Sequence, residues 1–118
     1  MNITLKFISM LLLIACTDII VEDISTKKVF LIGPSDSTKT TIRDQVFLWD
    51  QLPGAEIYRL SIARPGFQKV ELIVLDTSIE RSKFNFTFQP GTYAWRVRAE
   101  NSAYIGPYTT RSIQIDSL

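Results

Sequence analysis

Few side chains in this sequence can do covalent or acid–base chemistry. Among 118 residues there is no histidine and a single cysteine, Cys16. General-base catalysis, nucleophile activation and zinc binding lean on imidazole or clustered thiolates, so most of that chemistry has no residue to act through. A lone cysteine forms no internal disulfide, and the domain must be held by packing. The adjacent acids Glu22 and Asp23 offer a carboxylate pair, but they lie on a polar segment where no pocket raises one pKa, and they read as solvated charges. No catalytic residue, metal ligand or cofactor is expected, and the chain reads as a non-enzyme. The one distinctive nucleophile is the Cys16 thiol, whose meaning depends on the residues before it.

Lys6 and the amine of Met1 make a short positive start, followed by the apolar run Phe7 to Ala15 and then Cys16. The run is far shorter than the roughly 20 apolar residues a bilayer span needs, and its length and flanks fit the hydrophobic region of an export signal. Leu13-Ile14-Ala15-Cys16 resembles the lipobox of bacterial lipoproteins. The resemblance implies cleavage before Cys16 and acylation of its thiol and new amine, for instance by palmitate. Residues 1–15 are then a signal peptide and 16–27 a lipidated N-terminus and tether. Each buried CH₂ contributes about 0.8 kcal/mol, so two or more acyl chains hold a protein stably where one is marginal. Thr17, rather than an aspartate, follows Cys16, which by the same resemblance points to the outer membrane, on its periplasmic face or at the cell surface. Asp18, Glu22 and Asp23 loosely resemble the acidic surface-export signals of Bacteroidetes-type lipoproteins.

The rest of the chain must fold as one domain. Its 46% hydrophobic residues, with Phe 7, Tyr 4 and Trp 2, suffice to fill a single core. Lys+Arg 13 against Asp+Glu 12 leaves no basic footprint for nucleic acid. Short β-rich runs alternate with turn signals, the pattern of a sandwich or barrel, and no helical period competes. Strands are expected at 28–32, 45–50, 56–63, 69–75, 83–88, 92–100 and about 109–115, with residues 35–44 a polar loop. Alternation is cleanest at 92–100, where Tyr93, Trp95, Val97 and Ala99 oppose Ala94, Arg96, Arg98 and Glu100.

The stretch Phe88-Gln89-Pro90-Gly91-Thr92-Tyr93-Ala94-Trp95-Arg96-Val97-Arg98-Ala99 resembles a strand pattern of fibronectin type III domains. Trp49 and Tyr58 fall where that family carries a tryptophan and a tyrosine, and Gly106-Pro107-Tyr108-Thr109 resembles its turn into the last strand. The resemblance covers residues 28–116 and implies an all-β, seven-stranded, immunoglobulin-like sandwich with Trp49, Tyr58, Tyr93 and Trp95 in its core. It also implies a tyrosine corner at Tyr93. Two positions depart from the pattern. Phe88 stands for the usual leucine, and Arg111 falls where alternation with Ile113 and Ile115 points it inward, so a bulge that frees it to solvent is expected.

Binding candidates are the loop aromatics Phe67, Tyr104 and Tyr108, with Arg64 beside the first; for Tyr108 a cap on the core is the preferred reading and a binding contact the alternative. Outward-facing Arg59, Arg96 and Arg98 form either a basic stripe across two strands or, on the preferred reading, solubility charges met by Glu56 and Glu100. Asp36-Ser37-Thr38 resembles a Bacteroidetes O-glycosylation triplet, and Asn85-Phe86-Thr87 matches an N-glycosylation sequon that a bacterial context leaves without meaning. The type III resemblance places the N-terminus at the pole of the 51–55 and 101–108 loops. A lipid there would push residues 35–43 and 64–68 away from the membrane. The leading expectation is a lipid-anchored display module contacting an unknown protein or glycan through loops or a sheet edge. The alternative is a structural accessory subunit of an envelope uptake or secretion complex that docks by strand addition.

Overall fold

The computed structural model describes residues 20–118, so the expected signal peptide and Cys16 lie outside the described residues. Eight strands form two sheets: β1 (Leu31–Gly33), β2 (Thr38–Thr40), β3 (Asp44–Trp49), β4 (Ile57–Pro65), β5 (Val70–Ile79), β6 (Lys83–Thr87), β7 (Gly91–Glu100) and β8 (Thr109–Ile115). One sheet has the order β1-β3-β6 and the other β2-β8-β7-β4-β5. Alternation pointed to an all-β sandwich or barrel and the type III resemblance to a sandwich, and a two-sheet sandwich is the fold observed.

The core lies between the sheets, built from the inward residue of each alternating pair. Tyr93, Trp95, Val97 and Ala99 of β7 meet Phe47 and Trp49 of β3, flanked by Tyr58, Leu60 and Ile62 of β4 and Ile113 and Ile115 of β8, all buried. Aromatic rings carry the contact across the layers. Phe47 and Trp95 lie 4.6 Å apart between centroids, Phe88 and Tyr93 4.6 Å, and Trp49 packs edge-on against Tyr58 at 5.7 Å. Phe88 is 1% exposed, so the larger ring, where the resembled type III pattern has leucine, is taken into the core. The Tyr93 hydroxyl donates to the Gln89 carbonyl at 2.7 Å, tying the β6–β7 turn to the core and forming the tyrosine corner. A neutral hydrogen bond of this kind contributes about 1 kcal/mol. Tyr93→Phe should lower the urea midpoint by an equivalent amount with an unchanged slope, read by tryptophan fluorescence.

The strand count is eight because the segment expected as a polar loop contains a strand. Residues 28–30 precede the first sheet pairing, which is confined to Leu31–Gly33 against β3. The chain then crosses to the other sheet, where Thr38, Lys39 and Thr40 pair in parallel with Ile113, Gln114 and Ile115. The crossing is held by polar groups. Asp36 Oδ1 accepts from the Ser112 amide at 2.9 Å, the Ser37 amide donates to the Ser112 carbonyl at 3.0 Å, and Thr38 Oγ1 donates to the Ser35 carbonyl at 2.7 Å. The side chains of the Asp36-Ser37-Thr38 triplet are thus engaged in the crossing itself.

Arg111 corrects another expectation. The β7–β8 register runs without a shift from Gly91↔Ile115 to Val97↔Thr109, so no bulge releases Arg111. It points between the sheets, where Nη1 donates to the Pro34 carbonyl at 2.7 Å and Nη2 to the Leu31 carbonyl at 2.8 Å. The crossing strand leaves these carbonyls without ladder partners, and the guanidinium fork supplies donors at the seam.

Residues 22–27 are not a free tether. Ile24 is fully buried and belongs to the core. Its carbonyl accepts from the Lys27 amide at 2.9 Å, and the Asn101 side chain donates to the carbonyls of Glu22 and Gly54 at 2.8 and 3.0 Å. Two glycines admit this segment. A Cβ at Gly54, whose φ is +92°, would meet Glu22 Cβ at 2.9 Å, and one at Gly106 would meet the Lys27 and Ile24 carbonyls at 3.0 and 3.1 Å. The Ser25 hydroxyl and amide both donate to Asp23 and hold its carboxyl below the usual carboxylate range. Their contribution is present at neutral pH and fades as acid protonates that group.

Candidate functional site

The outer face of the five-stranded sheet gathers most of the exposed chemistry. Between the core positions, β4 turns Arg59, Ser61 and Ala63 outward, and β7 turns Ala94, Arg96 and Arg98 outward. Register aligns them in rows: Ala63 with Ala94 and Ser112, Ser61 with Arg96 and Thr110, and Arg59 with Arg98. The small row lets the β4–β5 turn fold down onto the sheet, with Gly66 close over Ala94. Phe67, at the tip of that turn, is thereby laid over Arg96.

Arg96 Cζ lies 4.0 Å from the Phe67 centroid and 3.9 Å from that of Tyr108. Two rings so close to one planar group must occupy its two faces, so the guanidinium is clamped between them. Arg98 Cζ lies 4.7 Å from Tyr108 and continues the stack. Such cation–π contacts contribute about 0.5–2 kcal/mol each, more when desolvated.

The three arginines differ in their partners. Arg98 Nε donates to Glu100 at 2.9 Å. Arg59 lies 3.9 Å from Glu100 and 3.6 Å from Asp76, which also accepts from the Ser61 hydroxyl at 3.0 Å. Asp76 thus takes the part the sequence suggested for Glu56, because the register sets Ser61 of β4 opposite Asp76 of β5. Among the described residues no carboxylate lies within 4.0 Å of an Arg96 nitrogen, and Arg96 Nε is buried without an acceptor. Arg96 is the member of the row with rings but no counter-charge.

Beside this clamp runs an open groove of about 570 Å³, with Pro65 to Lys69 on one side and Ala94, Thr110 and Ser112 on the other. Phe67 is half-buried at its edge. Arg64 is half-buried at the same end of the sheet, its Cζ 5.4 Å from the Tyr93 ring. Tyr104 is elsewhere. It is half-buried in the β7–β8 loop against the core, and its amide donates to Asn101 Oδ1 at 2.8 Å. The structure therefore gathers Phe67 and Arg64 at one pole and sets Tyr104 at the other. Tyr108, read from sequence as a core cap or else a binding contact, completes the Arg96 clamp. Arginines at alternate positions of β7 and a tyrosine just before β8 were visible in sequence, but only the register brings them together. Among the described residues no group of three or more histidine, cysteine or carboxylate side chains gathers to hold a metal.

No protein-family model matches the sequence, and no curated protein matches it. The fold does have solved counterparts. A crystal structure of FN3tt superposes with a TM-score of 0.54 at 15% identity, over 75% of this chain and 94% of that one. The solution structure of a fibronectin type III domain from human KIAA0970 protein gives a TM-score of 0.55 at 16% identity, over 75% of this chain and 73% of that one. Likeness at such low identity speaks to architecture alone, and the architecture of this chain is that of a fibronectin type III sandwich.

Proposed function

We propose that this chain is a non-catalytic binding module of the bacterial cell envelope, acylated on Cys16 and presenting its β4–β5 turn to a protein or glycan. The outer membrane is its place on this reading. The supporting observation is polarity. Residues 22–27 dock at the pole of Gly54 and Asn101, whereas Phe67 follows the far end of β4. The turn folds back over Arg96, which faces Ser61, so Phe67 lies roughly 13 Å along β4 from Ile57 at the docked pole. An anchor at Cys16 lies four residues before Ile20, a reach of at most ~14 Å. Acylation would therefore hold the Gly54 pole against the bilayer and keep the groove and Phe67 clear of it.

In cells, Cys16→Ser is expected to release the protein from the membrane fraction or leave it unprocessed, checked by fractionation and intact mass. Mild crosslinking should capture a neighbour through the wild-type chain and lose it with Phe67→Ala plus Arg64→Ala. An unmodified leader in the mature protein would overturn the anchor, and full capture by the double variant would overturn the surface.

A second reading, an accessory subunit that adds a strand at β5, is favoured by the exposed Val70, Leu72 and Ile73 on that edge. Against it, the register skips Glu71 and Val74, two bulges of the kind that protect edges from pairing. Loss of capture by Leu72→Lys, with Phe67→Ala silent, would select it.

A further inference from the structure

We infer that the Arg96 clamp and the adjoining groove form a binding site for a carboxylated sugar, a hexuronate residue of an acidic glycan. The inference rests on the binding-module reading and names the ligand class for its surface. Three observations carry it. First, Arg96 lies between Phe67 and Tyr108 at 4.0 and 3.9 Å, so its fork is already ordered and little side-chain freedom remains to be lost on binding. Second, Arg59 and Arg98 have carboxylate neighbours while Arg96 has none among the described residues. A planar guanidinium without a counter-charge is matched by a carboxylate, which it can take through two parallel hydrogen bonds. Third, the groove that opens beside Phe67 is lined both by small residues, Gly66 and Ala94, and by polar ones, Gln68, Lys69 and Thr110.

That composition suits a sugar ring. The apolar face of a pyranose suits small side chains and an aromatic ring, while its hydroxyls suit an amide, an ammonium and a hydroxyl in the same lining. The volume of about 570 Å³ lies in the range of small-ligand sites and accepts one or two sugar rings. An acidic peptide offers the same carboxylate, but it carries neither the apolar ring face nor the array of hydroxyls that this lining suits. The glycan is therefore the occupant the site favours.

The test is a titration of the full chain in neutral detergent with a galacturonate oligomer, followed by NMR of the Arg96 Nε–H and the Phe67 and Tyr108 ring protons. Saturable shifts at all three are expected, with affinity falling about tenfold or more in Arg96→Lys, which keeps the charge and loses the fork. A neutral galactose oligomer should leave the resonances in place. Because the wild-type shifts are read directly, the result does not depend on how well the variant folds. Absence of shifts with the uronate, equal response to the neutral oligomer, or binding of an aspartate-rich peptide where the uronate fails would each overturn the inference. If those outcomes arise while Phe67→Ala plus Arg64→Ala still abolishes capture from cells, the binding surface stands and only the ligand class falls.

Discussion

Trp95→Ala is expected to destabilise the domain by about 3–5 kcal/mol, the loss typical of deleting a buried tryptophan. Trp95 is fully buried on β7, a strand with β4 on one side and β8 on the other, and its ring packs on Phe47 across the sandwich. Neither neighbouring strand can move in to refill the space without breaking its own ladder. Domains of this size are stable by about 5–15 kcal/mol in all, so the variant should lose much of its margin. Trp95→Phe separates packing from polarity. The Trp95 indole N–H is buried without an acceptor, so phenylalanine removes volume but no hydrogen bond. Its loss should be clearly smaller. Urea denaturation read by circular dichroism checks both, and equal losses would show that the indole nitrogen has a partner of its own.

Arg111→Leu is expected to cost about 2–3 kcal/mol, although an inward arginine replaced by an apolar residue looks favourable from sequence. The arginine donates to two carbonyls, of Leu31 and Pro34, that the crossing strand leaves unpaired. Hydrogen bonds from a charged donor contribute about 1.5–3 kcal/mol each, discounted here because the seam is only partly buried. Amide exchange should quicken selectively in β1 and β2, while β4 and β7 stay protected. A variant as stable as the parent would mean that water serves those carbonyls equally well.

These two residues also mark how far the sequence could be read. Trp95 sits in strict alternation with Tyr93, Val97 and Ala99, and a period of two on a central strand assigns its face with no further information. The same pattern put Phe47, Trp49, Tyr58 and Phe88 on shared faces, and the type III resemblance chose the sandwich over a barrel. Arg111 obeyed the alternation too; what misled was the rule that charge avoids the interior, since the carbonyls it satisfies belong to a segment about 77 to 80 positions away. The β2 strand was hidden for a related reason. Three residues, Thr38-Lys39-Thr40, carry no periodicity, and their pairing is dictated by β8. Ile24 was overlooked because a single apolar residue among polar neighbours gives no pattern. The Arg96 clamp combines residues from a turn, a strand and a loop, so its parts were legible and their meeting was not.

The passage of the chain from one layer to the other has a mechanical meaning. β1 is bonded into one sheet and β2 into the other, with β2 lying parallel to β8. Ladder bonds run across the strands. On the proposed reading, tension between an acylated N-terminal tether and a partner held at the β4–β5 turn would run along the strands, straining those bonds in shear and all together instead of unzipping them singly. A domain built this way resists being drawn out by its N-terminal segment.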